Sequence, residues 1–187
     1  MKRLLFFIVL VILIPAGCKT VKPAVEVHQA DTQVKSIPQG TDFSKQETWI
    51  LGYFNPARLS QPPYSEWYSK GFNEYKPDPA VIEKLSKVNK DDLSIKIVMG
   101  TWCPDSRREV PRFMQVLDQL KFPSDKLTFI GVDNEKHSPI GDYEYLNIQR
   151  VPTFIIMKNN VEAGRIIENP VASLEQDILN ILNRSEK

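Results

Sequence analysis

Strand-like and helix-like segments alternate along the second half of the chain, and this alternation constrains the fold more than any other feature. Residues 104–121 and 171–182 carry apolar side chains at the spacing of a buried helix face. Apolar runs with strand character span residues 93–99, 127–132, 153–157 and 163–167. The resulting order, β-α-β-β-β-α with a further short helix near residues 143–146, contains one crossover unit and a terminal hairpin. It predicts an α/β domain whose mixed sheet carries helices on both faces.

The first 17 residues have the pattern of a secretory signal peptide. Lys2 and Arg3 precede an unbroken apolar run of eleven residues, which as a helix would span roughly 16 Å, about half of a bilayer core. A run of that length is typical of a signal peptide and not of a transmembrane helix. Ala16 and Gly17 then lead into Cys18, a pattern that resembles the lipobox of bacterial lipoproteins.

That resemblance implies that Cys18 becomes the lipid-carrying first residue of the mature chain. The protein would then be anchored by lipid in the bacterial cell envelope, on the extracytoplasmic side. One position departs from the usual lipobox, because Pro15 stands where leucine is common. The alternative is a plain secretory signal in which Cys18 has no role.

Three segments follow the signal peptide. Residues 18–45 are polar, contain a single aromatic residue, Phe43, and are predicted to form a flexible tether. Residues 46–79 form an aromatic-rich extension, and residues 80–187 form the main domain. Five aromatic side chains of the extension share one helical stripe: Tyr64, Trp67, Tyr68, Phe72 and Tyr75. This stripe indicates a helix packed on the main domain, with a ligand-binding groove as the alternative, and a second short helix is predicted over 79–90.

Charge and cysteine content exclude several classes of protein. The chain has 24 basic and 23 acidic residues, so it lacks the electrostatic footprint of a nucleic-acid-binding protein. Two cysteines and two histidines cannot build a disulfide-rich scaffold and make a zinc site improbable. We therefore expect no metal, no cofactor and no nucleic acid. If Cys18 carries lipid, Cys103 is the one free thiol of the mature protein.

The segment from Gly100 to Arg108 joins a buried strand to the start of a helix. Cys103 is predicted at the helix N-cap, where a side chain faces the unpaired N–H groups of the first turn and the positive end of the helix dipole. Both features favour the thiolate, which is the reactive form of cysteine. Pro104 fits the first helical position, because its missing N–H costs nothing there. Cys103 is therefore the candidate nucleophile.

Neighbouring side chains add to this prediction. Ser106, three residues further on, can direct its hydroxyl back toward Cys103, which makes it the second candidate catalytic residue. Arg107 and Arg108 add positive charge, which Asp105 partly offsets.

Several motifs now resemble one family. Trp102-Cys103-Pro104-Asp105-Ser106 is similar to the Trp-Cys-x-x-Cys site of the thioredoxin family, with serine in place of the second cysteine. Pro111 stands where thioredoxins carry a helix-kinking proline, and Val151-Pro152-Thr153 resembles their cis-proline loop. Lys158-Asn159-Asn160 falls at the hairpin turn that follows. The resemblance covers about residues 80–185 and implies a thioredoxin-like mixed sheet.

The resemblance also implies roles for individual residues. Pro152 would be cis, and its loop would face the active site. Trp102, Pro104, Val151 and Pro152 would shape the substrate groove, and Pro111 would support the active-site helix. Two positions depart from the family: Ser106 replaces the resolving cysteine, and Ile97 stands where thioredoxins carry a buried acid.

A single thiol can attack a disulfide, but it cannot complete a dithiol cycle unaided, because exchange passes through a mixed disulfide. The first hypothesis is therefore a membrane-anchored monothiol exchange protein whose partners are a protein or a low-molecular-weight thiol or disulfide. The alternative is a redox-inactive thioredoxin-fold module for binding, of chaperone-like character. A third hypothesis is a redox sensor in which Cys103 is oxidised to sulfenic acid.

Overall fold

The computed structural model describes residues 40–185. The signal peptide, Cys18 and the tether as far as residue 39 lie outside the described residues, so the predictions that concern them stay predictions. Within the described part of the chain, no helix is both long enough and apolar enough to span a bilayer.

A mixed five-stranded sheet forms the centre of the fold. Its strands are β1 (Gly52–Tyr53), β2 (Leu93–Met99), β3 (Leu127–Gly131), β4 (Thr153–Lys158) and β5 (Val161–Ile167). The spatial order is β1-β3-β2-β4-β5. β2 pairs in parallel with β3, and the other three pairings, β1–β3, β2–β4 and β4–β5, are antiparallel. β2 is therefore the central strand. Its C-terminal end lies at the middle of one end of the sheet, between the ends of its neighbours β3 and β4.

Four α-helices are present in the described residues: α1 (Ser65–Glu74), α2 (Pro79–Ser86), α3 (Pro104–Gln119) and α4 (Leu174–Arg184). Asp78 and Ser173 cap α2 and α4, each accepting a hydrogen bond from a backbone N–H of the first turn. The β4–β5 hairpin turns through Asn159 and Asn160, both with positive φ, as a tight hairpin requires. The strands and helices predicted for the main domain are confirmed, with shifts of a few residues at their ends.

One hydrophobic core lies between the sheet and the helices. All four α-helices contribute side chains to it, together with Ile95, Ile97 and Met99 of β2. Phe113 of α3 stacks on Phe154 of β4 with ring centroids 4.1 Å apart. These four α-helices therefore cover the same sheet face, and the short helix predicted near residues 143–146 lies on the opposite face.

The opposite face is covered by an irregular segment between β3 and β4. It contains one short 3₁₀ helix, Tyr143–Leu146, which packs with Ile140 and Ile148 over Val98 and Ile155. The first half of β2 presents Ser94 and Lys96 on this face, so only the half near the end of β2 is apolar there.

The N-terminal extension is part of the sheet. Its strand β1 pairs with β3, and the pairing brings the Ile50 carbonyl oxygen so close to Gly131 that a Cβ there would lie 2.1 Å from it. The aromatic helix α1 packs on α3, and Gly71 faces Pro111 so closely that a Cβ on Gly71 would lie 2.6 Å from the proline Cγ. The helix packed on the main domain, predicted from the aromatic stripe, is present.

Candidate active site

Cys103 lies at the N-cap of α3, one turn beyond the end of β2. Its backbone is extended (φ −79°, ψ 123°), its N–H donates to the Gly100 carbonyl at 3.0 Å, and Pro104 follows as the first helical residue. The thiol is buried, with 6% of the residue exposed. Its Sγ donates to the Val151 carbonyl at 3.2 Å, and within residues 40–185 it accepts no hydrogen bond from the first turn of the helix.

The loop before β4 supplies the acceptor for this thiol. The Val151–Pro152 peptide bond is cis, as the resemblance implies, and both residues are buried. The loop is held on its other side by the Glu168 N–H, which donates to the Pro152 carbonyl at 2.7 Å. Cys103, Val151 and Pro152, predicted from distant parts of the sequence, are thus brought together.

Ser106 is fully buried, but its hydroxyl is not directed at the thiol. Its Oγ accepts a hydrogen bond from the Gly100 N–H at 3.3 Å, and no hydrogen bond to Cys103 is present among the described residues. The expected contact is absent because Ser106 meets the backbone at the end of β2. Ser106 therefore fixes the turn that carries Cys103.

Trp102 lies beside the thiol in a fixed orientation. Its indole Nε1 donates to the Val132 carbonyl at 3.0 Å, and its ring lies over Gly100, where a Cβ would come within 2.4 Å of Nε1. Trp102 is half-buried, whereas Pro104 is exposed on the surface beside Cys103. Pro111 lies deep in α3 and is buried against α1, away from the groove.

Residues 43–50, here called the strap, flank this turn and were not predicted as part of the site. The Thr101 hydroxyl donates to the Thr48 carbonyl at 3.0 Å and accepts from the Ile50 N–H at 3.3 Å. The Trp49 ring packs near Trp102, with centroids 6.4 Å apart. Because these contacts join residues about fifty positions apart, no local pattern in the sequence signals them.

Arg107 connects the strap to the turn. Its Nη1 donates to the carbonyls of Thr101 and Trp102, both at 2.9 Å, and its guanidinium lies 4.8 Å from the centre of the Phe43 ring. Burial lowers the pKa of Arg107, and the nearby Cys103 sulfur opposes that shift. The guanidinium nevertheless stays charged, since arginine does not lose its proton in proteins. Phe43, which the sequence assigned to the tether, is therefore packed against the site.

Other candidate groups lie elsewhere. His137 is exposed and pairs with Glu135 at 3.6 Å, away from the thiol, and His28 is outside the described residues. Within residues 40–185, no group of three or more His, Cys, Asp or Glu side chains could hold a metal ion. Tyr143 packs in the apolar cluster that contains Cys103, and burial raises the pKa of its phenol to about 12.

Comparison with known proteins supports the fold of the chain. No protein-family model matches the chain, and no curated protein matches it. A crystal structure of a protein of unknown function from Pseudomonas aeruginosa is similar, with a TM-score of 0.51 and 14% identity, over 73% of this chain and 93% of that one. Thioredoxin O2 from Arabidopsis thaliana, in its oxidised state, gives a TM-score of 0.35 and 23% identity over 56% and 85% of the two chains.

The topology of the described chain is that of the α/β class, a mixed five-stranded sheet with four α-helices, consistent with a thioredoxin-like fold. The central β2, its parallel neighbour β3 and the antiparallel β4–β5 hairpin, with α3 beginning at the end of β2, define that arrangement. The predicted fold class, including its N-terminal helical extension, is confirmed.

Proposed function

We propose that this protein is a membrane-anchored, thioredoxin-like protein that engages thiols and disulfides through one nucleophilic cysteine, Cys103. The observation that carries the proposal is the contact between the Cys103 Sγ and the Val151 carbonyl, 3.2 Å apart, across the start of α3 and the cis Val151–Pro152 loop. A cysteine at a helix N-terminus that faces an extended loop can meet a partner's backbone and sulfur together.

The proposed reaction is monothiol exchange. The Cys103 thiolate attacks one sulfur of a disulfide, a new S–S bond forms, and the partner's other sulfur leaves as a thiolate. An external thiolate, from a low-molecular-weight thiol or a partner protein, then attacks the partner's sulfur in the mixed disulfide. Cys103 leaves as a thiolate, and the external thiol ends in a disulfide with the partner. Electrons come from the external thiol, and Cys103 ends unchanged.

The decisive experiment combines chemical modification with turnover. The full chain carrying Cys18→Ser has Cys103 as its one thiol, and its alkylation rate is followed against pH. In parallel, reduction of a glutathione mixed disulfide is measured with added glutathione. Turnover that requires glutathione and disappears in Cys103→Ser supports the proposal. A folded protein that alkylates like a free cysteine and gives no turnover contradicts it.

The second candidate function is a redox-inactive binding module of chaperone-like character. Two observations favour it: the Cys103 thiol is buried, and its proton is already donated to Val151. Such a module would hold an extended peptide along the Val151–Pro152 loop without turnover. Binding of a cysteine-free peptide that survives Cys103→Ala, together with no glutathione-dependent turnover, would favour this alternative.

Membrane anchoring through a lipid on Cys18 is part of the same proposal. It is supported by the signal-like apolar run and by the small residues before Cys18. When the chain is expressed in a bacterium, the mature protein is expected to begin at Cys18, to carry acyl chains by mass spectrometry and to pellet with membranes. A mature chain that carries no acyl group on Cys18 by mass spectrometry would contradict lipid anchoring.

A further inference from the structure

Arg107 differs from the other arginines near the site in having no acidic partner. Arg108, next to it, pairs with Asp105 at 2.7 Å and with Glu109 at 2.6 Å, and it also donates to the Asn169 side chain. Within residues 40–185, Arg107 makes no salt bridge, and its charge meets two backbone carbonyls and one aromatic ring. The positive charge of Arg107 is therefore not neutralised by an acidic side chain within residues 40–185.

The position of this charge is fixed from two sides. Nη1 is held by the carbonyls of Thr101 and Trp102, the two residues that precede Cys103 in the turn. The guanidinium carbon lies over the Phe43 ring in the strap, 4.8 Å from the ring centre, an arrangement that favours a cation. Nε and Nη2 have no hydrogen-bond partner in the described part of the chain, so they stay available to an anion that approaches the turn.

The thiol lies on the same end of α3. Arg107 is four residues after Cys103 and its N–H donates to the Cys103 carbonyl at 3.1 Å, which places both side chains on neighbouring positions of the first turn. The acid nearest in sequence, Asp105, is engaged by Arg108. Arg107 interacts electrostatically with the Cys103 sulfur, and no acidic side chain of residues 40–185 pairs with it.

We infer that Arg107, positioned by the strap, makes Cys103 selective for partners that carry negative charge next to the reacting sulfur or carbon. This inference rests on the proposed function and names its substrate class: an anionic thiol or disulfide, such as one with a carboxylate close to its sulfur. Arg107 acts as a specificity-determining residue, and Phe43 is a positioning residue that acts through it.

The test compares two alkylating reagents of nearly equal size, iodoacetate, which is anionic, and iodoacetamide, which is neutral. In both reactions the Cys103 thiolate attacks the methylene carbon, a C–S bond forms, the C–I bond breaks and iodide leaves. The full chain carrying Cys18→Ser is used in detergent, so that Cys103 is its one thiol. Any change in the thiolate fraction cancels in the ratio of the two rates.

In Arg107→Gln the iodoacetate-to-iodoacetamide ratio is expected to fall on the order of three- to ten-fold, as for one partly screened charge near the sulfur. Arg107→Lys keeps the charge and should retain most of the ratio. Phe43→Leu keeps an apolar contact but removes the aromatic face, so its ratio should fall between those of the parent and Arg107→Gln. Salt at about 1 M should lower the parent ratio toward that of Arg107→Gln, because the Debye length is then about 3 Å.

Arg108→Gln is the matched control, since it removes a charge one residue away that is already paired. An unchanged ratio in Arg107→Gln, or an equal fall in Arg108→Gln, would overturn the inference. Alkylation needs no turnover, so the result is independent of the proposed exchange activity. Turnover without charge selectivity would contradict this inference and leave the exchange reaction standing. Charge selectivity without turnover would contradict the exchange reaction and leave this inference standing.

Discussion

At the scale of single residues, Ser106 is the residue that distinguishes this site from a dithiol site. Its side chain occupies the third position of α3, one turn from the N-cap Cys103, and it is fully buried beneath the turn. The Ser106 hydroxyl accepts a hydrogen bond from the Gly100 N–H. A thiol at this position would accept that hydrogen bond more weakly. A cysteine at position 106 would stand one helical turn after Cys103, the spacing of a Cys-x-x-Cys site.

Ser106→Cys is therefore expected to create dithiol reductase activity. The new thiol can attack a mixed disulfide on Cys103, release the partner and close a disulfide with Cys103. Insulin reduction with a dithiol reductant measures the activity, and mass spectrometry after oxidation detects the internal disulfide. Ser106→Ala is the control and should stay inactive. If a folded Ser106→Cys protein neither turns over nor closes the disulfide, the thioredoxin-like arrangement of this turn is wrong.

The sequence located some of these residues and missed others for a physical reason. Cys103 was found from its place at a helix start, whereas the Val151–Pro152 loop was found from its resemblance to the cis-proline loop of thioredoxins. The place of the strap beside the site was missed because it depends on hydrogen bonds between the Thr101 hydroxyl and the backbone of Thr48 and Ile50. Those hydrogen bonds form only in the folded chain. The hydroxyl of Ser106 was placed wrongly, since the sequence does not reveal the competing N–H of Gly100.

At the scale of elements, the strand β1 depends on one glycine. A Cβ on Gly131 would lie 2.1 Å from the Ile50 carbonyl oxygen and 2.7 Å from its carbon, and both are backbone atoms that cannot move aside easily. Gly131→Ala is expected to lower the free energy of unfolding by about 1–3 kcal/mol and to expose β1 to protease. Urea denaturation and limited proteolysis measure both effects.

Gly141→Ala is a matched control for this prediction. No atom lies within 4 Å of the position that its Cβ would take, so the change should stay within about 0.5 kcal/mol. Equal stability of the two variants would show that β1 does not pair with β3 as described.

Glu175 of α4 is a buried carboxylate that links α4 to the ends of α1 and α2. It accepts from the Tyr75 hydroxyl at 2.8 Å and from the Asp78 N–H at 3.0 Å. Burial raises the pKa of Glu175, but these hydrogen bonds outweigh burial, so its pKa is lowered overall. A lowered carboxyl pKa contributes stability above the unfolded value of about 4.3, and that contribution is lost as the pH falls through the folded value.

Glu175→Gln is expected to cost about 1–2 kcal/mol at neutral pH, because it weakens hydrogen bonds to a charged group. The cost should be smaller at an acidic pH below the lowered pKa of the parent Glu175 carboxyl than at neutral pH. Urea denaturation at the two pH values measures the difference. Glu74→Gln, an exposed change at the end of α1, should have little effect at either pH. A cost for Glu175→Gln that is the same at both pH values would contradict the linkage.

The sequence predicted the elements better than their arrangement. β1 has two residues, too few for any alternation, and its pairing is set by the distant Gly131. The placement of all four α-helices on one sheet face had a signal, however. Ser94 and Lys96 alternate with the buried residues of β2, which marks a strand whose second face is partly solvated at that end.

At the scale of the whole molecule, the extension and the main domain share one core. Leu59 and Tyr64 of the extension are almost fully buried in the same cluster as Phe113 and Phe154. The extension also supplies β1, the strap beside Thr101, and the helix that covers Pro111. The proposed site is consequently built from both segments, although the resemblance to thioredoxins covers one of them.

A fragment of residues 80–187 is therefore expected to lose cooperative folding, whereas residues 40–187 should fold. Removing the extension uncovers the apolar surfaces that Leu59 and Tyr64 bury, each worth about 1.5–3 kcal/mol, in addition to the contacts of α1 and β1. Natural domains have a total stability of only about 5–15 kcal/mol, so these losses would consume much of it. Near-ultraviolet circular dichroism and urea unfolding of the two fragments give the measurement. A steep unfolding transition for 80–187 at the same urea concentration as 40–187 would show that the extension is an accessory to an independent domain.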